Sequence, residues 1–123
     1  MVIFVWLMVL MVSACGPAKT PQVRAVESYL NALVGKDENR LSTLACAEWE
    51  PSALLELDSL QGVEARLEGM ACSMIGSDGT TTLVKCQGKL IATYNNENQE
   101  LDLSVRTYQV VQQGGDYLVC GTR

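Results

Sequence analysis

Three kinds of hydrophobic pattern follow one another along the chain. Val2 to Val12 is an unbroken apolar run without a charge. Gly16 to Gln22, GPAKTPQ, is small, polar and proline-containing, the composition of a short tether. Apolar residues then recur at Val23, Val26, Leu30, Leu33 and Val34, one face of a 3.6-residue period. Thr20 stands where an N-cap belongs, with Pro21 at the first helical position, and Gly35 is placed as the stop. A second helix is expected from Asp37, carrying Leu41, Leu44 and Ala45 and reaching Cys46 and toward Trp49. Pro51 opens a third, shorter one with Leu54, Leu55 and Leu57 on its apolar face.

From Gly62 the period changes to alternation. Val63, Ala65 and Leu67 alternate with Glu64, Arg66 and Glu68; past Gly69 the apolar positions shift to Met70, Cys72 and Met74. A change of phase at a glycine is the mark of a β-bulge that bends a strand. Ser77-Asp78-Gly79-Thr80 reads as a turn. The next strand shows Thr82, Val84, Cys86, Leu90 and Ala92 on one face and ends near Tyr94. A polar loop from Asn95 to Gln99 leads to a third strand with Leu101, Leu103 and Val105 inward, which changes phase near Thr107 to Tyr108 and Val110. Gly114-Gly115 turns the chain into a last short strand, Asp116 to Cys120. Helices first and four hairpin-linked strands afterwards imply an α+β domain with helices on one face of a bent antiparallel sheet.

The N-terminal run is too short for a bilayer span, which takes about 20 apolar residues, and has the length of a signal-peptide core. It is followed by Val12-Ser13-Ala14-Cys15-Gly16, which resembles the bacterial lipobox. That resemblance implies removal of residues 1–14, acylation of Cys15, residues 15–22 as lipidated cysteine and tether, and a folded domain over 23–123. It also implies attachment to the extracytoplasmic face of a cell membrane, inner or outer. One departure is the missing Lys or Arg before the run; a start codon upstream of Met1 would supply it. An ordinary secretory signal, with Cys15 as a spare thiol, is the alternative.

Composition changes the picture in two ways. Removing residues 1–14 takes away the only Phe (Phe4), Trp6 and three of the five Met, so the core must be built from Leu, Val, Ala and Tyr. The formal net charge of -5 lies wholly in the remainder and argues against a nucleic-acid partner, since nothing neutralises phosphate. Lys19 and Arg24 are isolated, so membrane attachment would rest on acyl chains rather than on basic charge.

With Cys15 assigned to lipid, Cys46, Cys72, Cys86 and Cys120 remain, an even number in an oxidising compartment, which reads as two disulfides. A metal site is the weaker reading: the chain has no His and no Cys-x-x-Cys, and the thiols are spread along the domain. Sequence alone admits three pairings. Cys72 and Cys86 lie nearly symmetrically about Asp78-Gly79 on the same apolar phase, which favours Cys72–Cys86 and leaves Cys46–Cys120. Each would contribute on the order of 3 to 4 kcal/mol through loop entropy.

The run ESYLNALVGKDENRLSTL (Glu27 to Leu44), followed by a meander of long bent strands, resembles the nuclear transport factor 2-like superfamily, and this likeness covers nearly all of the domain. Cys46-Ala47-Glu48-Trp49-Glu50, Gly88, Tyr94 and Val119-Cys120-Gly121 also look like small bacterial lipoproteins of unassigned function. The superfamily implies a cone-shaped α+β fold whose enzymes use acidic, Tyr or His groups inside the cone. Trp49, Tyr94, Tyr108 and Arg106 are the candidate pocket residues. Tyr94 and Tyr108 also read as core, because they end or follow apolar runs, and Arg106 shares its phase with Asp102 and Ser104, which suggests an exposed face. Glu97, Glu100 and Asp102 read as surface charge. Without His there is no Ser-His or Cys-His pair, and no glycine-rich phosphate cradle is present. No catalytic residue, cofactor or metal is therefore expected. The leading expectation is non-enzymatic binding of a small apolar ligand or a protein partner. The alternatives are an isomerase- or hydratase-type enzyme and a dimeric immunity or structural lipoprotein.

Overall fold

The computed structural model describes residues 19–123. Cys15 and the signal-like run lie outside the described residues. Three helices come first: α1 (Pro21–Val34), α2 (Glu38–Leu44) and α3 (Glu50–Ser59). Five strands follow: β1 (Glu64–Asp78), β2 (Thr81–Tyr94), β3 (Glu97–Asp102), β4 (Thr107–Gln113) and β5 (Asp116–Thr122). All strand pairs are antiparallel, in the order β1-β2-β4-β5, with β3 also on β2.

Local chemistry sets the helix ends. Thr20 Oγ1 accepts from the Val23 N–H at 3.3 Å, and Pro21 occupies the first turn, where a missing N–H is no loss. Asp37 caps α2 by accepting from the Arg40 N–H at 3.2 Å. Gly35 does end α1, in right-handed backbone; the positive φ falls on Lys36 instead. The second helix stops earlier than its apolar pattern implies. Ala45 is extended and bridges Val119 in parallel, and the Cys46 N–H donates to the Val119 carbonyl at 3.0 Å. The sheet captures residues that local spacing would have left helical.

Val23, Val26, Tyr29, Leu30 and Leu33 of α1 face the concave side of the sheet, where they meet Val84, Cys86, Leu90, Tyr108, Val110 and Val119. A bend of the sheet lies in the β1–β2 pair. Pairing of β1 with β2 shifts register between Glu68 and Ala71, at Gly69, as the phase change there predicts. Opposite it sits Gly88, with φ +95; a Cβ there would meet the Glu68 carbonyl oxygen at 2.5 Å. Only glycine lets the two backbones approach so closely.

The expected third strand is two strands. Asp102 accepts from the Ser104 N–H at 2.9 Å, and Leu103–Val105 form a 3₁₀ turn. β3 pairs with the second half of β2, and β4 with the first half. Leu103 is buried as expected, but the turn throws Val105 outward to 67 % exposure and leaves Leu101 at the rim. The sheet therefore has five strands rather than four. Both cysteine pairs stand together: Cys72 with Cys86 as direct cross-strand partners, Cα atoms 3.9 Å apart, and Cys46 with Cys120 at 5.2 Å.

Candidate functional site: the cone interior

α1 presents Tyr29 on the same face as Val26, Leu30 and Leu33, so its phenol is carried fully into the core. The Trp49 indole N–H, at the start of α3, donates to the Tyr29 hydroxyl at 3.1 Å. The Tyr29 and Tyr108 rings meet edge to face, with centroids 6.2 Å apart. α3 does not bury the face expected of it. Ala53, Leu57 and Leu60 are buried, whereas Leu55 is 69 % exposed. Glu56 lies on this inward stripe, one turn after Ala53 and one before Leu60.

Glu56 is answered across the cone by Arg106, whose Nη1 lies 3.2 Å from the carboxylate. The expected exposed face for Arg106 is therefore corrected. Alternation breaks at the 3₁₀ turn just before it, and the side chain swings in toward α3. Burial raises the Glu56 pKa above the usual carboxylate range, against the pull of the Arg106 charge and hydrogen bonds from Arg106 and Tyr29. Burial, then the neighbouring Glu56 charge, pushes the phenols of Tyr29 and Tyr108 up as well. Among the described residues no buried side-chain nitrogen or oxygen lacks a hydrogen-bond partner.

Against this polar group lies a cavity of about 90 Å³. Leu30, Leu33, Leu60, Leu90 and Leu103 form its apolar walls; Glu56, Ser59, Arg106 and Tyr108 form its polar side. A water occupies about 30 Å³ of liquid, so the enclosed part holds a few heavy atoms. It is not closed off. Ser59, Leu60, Leu90 and Leu101 also line an open groove of about 380 Å³, extended by Val63, Ala92 and Gln99. Cavity and groove share Ser59, Leu60, Leu90 and Leu101 as walls, between the end of α3 and the β2–β3 pair.

Of the four expected pocket residues, Arg106 and Tyr108 line this cavity, while Trp49 reaches Tyr29 behind it. Tyr94 does neither. It is 61 % exposed at the β2–β3 hairpin, beside Asn95 and Asn96, because β2 has left the helices by that point. The sequence reading leaves out Tyr29 and Glu56, although both fall on helical spacing with buried neighbours. Among the described residues no group of three His, Cys, Asp or Glu side chains could hold a metal ion, and no helix is long and apolar enough to cross a membrane.

Solved structures of similar shape decide the architecture. Aln2 from a Streptomyces species superposes with a TM-score of 0.57 at 10% identity, over 80% of this chain and 82% of that one. A substituted variant of Rd1NTF2_05, a designed nuclear transport factor 2 protein, gives 0.56 at 12%, over 81% and 92%. The fold is nuclear transport factor 2-like. The SEC-C motif containing protein RPA3114 from Rhodopseudomonas palustris is similar at 0.54 and 12% identity, over 85% and 80%. No protein-family model and no curated protein matches the chain. At these identities the nuclear transport factor 2-like likeness is one of fold.

Proposed function

We propose that the protein is an extracytoplasmic domain, anchored through lipid at Cys15, whose cone binds a small amphipathic molecule without transforming it. The observation that carries the binding reading is that the cavity at Glu56, Arg106 and Tyr108 adjoins the apolar groove, the two sharing Leu60, Leu90 and Leu101 as walls. A ligand whose compact polar end reaches the floor would lay an apolar tail along the groove. Glu56 and Arg106 neutralise each other, so the polar end is best uncharged, a hydroxyl or amide that hydrogen-bonds without breaking the pair. The anchor reading is supported by the apolar run and the Val12-Ser13-Ala14-Cys15 sequence.

Native mass spectrometry of the protein purified from its own membranes tests the binding reading. One bound small molecule is expected on the wild type, and loss of that mass in Leu90→Trp, which fills the cavity. Identical spectra without any adduct would sink the reading.

A second reading is favoured by one observation, the raised pKa of Glu56 between two buried phenols. A carboxylate held partly toward its neutral form is suited to proton transfer. In this reading Glu56 is the acid-base group of an isomerase- or hydratase-type enzyme and Tyr108 the hydrogen-bond donor; the exposed Tyr94 has no part. Solvent deuterium exchange into a bound carbonyl compound, abolished in Glu56→Gln with binding retained, would favour this over pure binding.

A further inference from the structure

We propose that the tip of the β1–β2 ribbon, carrying Met74 and Ile75, rests against the lipid surface to which the N-terminal tether leads; this rests on the attachment proposed at Cys15. The two residues are consecutive and exposed, Met74 by 45 % and Ile75 by 54 %. Ile75 sits in a register shift between Met74 and Gly76, which takes it out of the pairing with β2. Two adjacent large apolar side chains on the edge strand β1 call for a partner, and the position of Lys19 and Thr20, to which the proposed tether joins, says which one.

The start of the fold is fastened to this ribbon. The Thr20 hydroxyl donates to the Met74 sulfur at 3.3 Å. Lys19 Nζ bonds one oxygen of Glu27 at 2.7 Å, while the other oxygen accepts from the Cys72 N–H at 3.3 Å. Glu27 is a buried charge on the inner face of α1, 8 % exposed, and its two partners explain its place there. One carboxylate thus pins the end of the tether to the strand that carries Met74. From Cys15 to Lys19 the chain spans at most about 14 Å even when fully extended. A membrane holding Cys15 is therefore near Met74 and Ile75.

Charge agrees with this orientation. Beside the tip Lys85 is exposed opposite Ser73, and Asp78 is neutralised by Arg123 at 3.1 Å. Glu64 and Glu97 lie toward the other end of β2, where Glu100 is paired with Lys89 at 2.9 Å. Anionic headgroups would meet the exposed Lys85 beside the tip. Two side chains add little affinity beside acyl chains, so their contribution is to orientation.

The test uses the lipidated, processed protein in vesicles of phosphatidylethanolamine and phosphatidylglycerol containing lipid brominated high in the acyl chain. An environment-sensitive thiol dye is placed on Ile75→Cys and, for comparison, on Glu97→Cys at the opposite end. If the tip lies about 5–10 Å into the interface, the probe at position 75 shifts to the blue and loses most of its emission to bromine, while that at 97 changes neither. Ile75→Trp, read against the wild type in the same vesicles, gives the same answer without an added thiol. Protein that floats with vesicles while the probe at 75 stays unquenched overturns the contact and leaves the anchor standing. Protein that does not float overturns the anchor, and the contact with it. A blue shift appearing only in native membranes, unquenched by brominated lipid, assigns the patch to a protein and overturns the lipid assignment.

Discussion

A carboxylate on the inward stripe of a helix needs either a counter-charge or a proton, and at Glu56 the two compete. Arg106 supplies the first, while burial favours the second and raises the pKa. The folded protein therefore holds the Glu56 proton to higher pH than the unfolded chain, whose value is 4.5. The Glu56 contribution to stability is therefore fully present below 4.5 and is lost as pH rises from there through the raised folded value. Urea unfolding of Glu56→Gln across this window is expected to show that downward slope flattened. Arg106→Met should widen the window upward and, at neutral pH, cost about 1–2 kcal/mol, between the values for exposed and buried pairs. Equal pH profiles for wild type and Glu56→Gln would mean that the carboxylate is solvated rather than enclosed. Glycines separate in the same residue-by-residue way. At Gly88 a Cβ would strike the Glu68 carbonyl as well as forcing φ +95, so Gly88→Ala should lose about 3 kcal/mol or more. At Gly79, φ +61 with open space around it, the same change should lose only about 1 kcal/mol. Comparable losses at the two sites, measured by urea unfolding, would remove the close-approach argument.

Between elements, the two disulfides differ in what they tie. Cys72–Cys86 joins strands already adjacent across one hairpin, at a sequence separation of 14, whereas Cys46–Cys120 joins the segment after α2 to the last strand at a separation of 74. Loop entropy alone gives about 3 kcal/mol for the first and about 4.5 for the second. Replacing Cys46 and Cys120 by Ala should therefore lower the urea midpoint more than replacing Cys72 and Cys86. It should also loosen the Ala45–Val119 bridge, seen as faster exchange of the backbone amide at position 46, which donates to the Val119 carbonyl. The reverse order of midpoints would show that strand packing, not chain closure, dominates. At this scale much was legible from sequence, because helix caps, the change of period at Gly62 and the phase shift at Gly69 are local signals that the packing reinforces. Where a distant strand intervenes, the local signal fails. Ala45 and Cys46 continue a helical pattern yet are claimed by Val119. Val105 continues an alternating pattern yet is turned out by the Asp102 cap. Arg106 suffered the same fate: it follows that turn, so its inward direction was invisible to alternation. Tyr29 and Glu56 were readable on helical spacing, had polar residues been allowed on the inward stripe.

The start of α1 and the groove lie toward different ends of β2, and under the proposed attachment this sets how the molecule would work as a whole. Thr20 and Met74 mark one end; Met74 pairs with Val84 on β2. The groove along Ala92 and Leu101 lies farther down β2, at most about 26 Å from Val84 along the strand. A membrane at the tether would leave the groove open to the aqueous side rather than buried in lipid. Ligand would then arrive from solution, and the anchor would set location without contributing to affinity. Emission from Trp49, which bonds Tyr29 beside the cavity, can follow a titration with a medium-chain fatty alcohol as probe. The dissociation constant of the vesicle-bound lipoprotein should match that of the same protein in detergent-free nanodiscs of uncharged lipid within about 2-fold, or about 0.4 kcal/mol. Leu101→Arg, at the rim of the groove, should weaken binding in both settings alike, because it charges the path of the apolar tail. Affinity that changed with the lipid, or a Leu101→Arg effect confined to one membrane, would place the channel mouth in the bilayer and reverse the orientation.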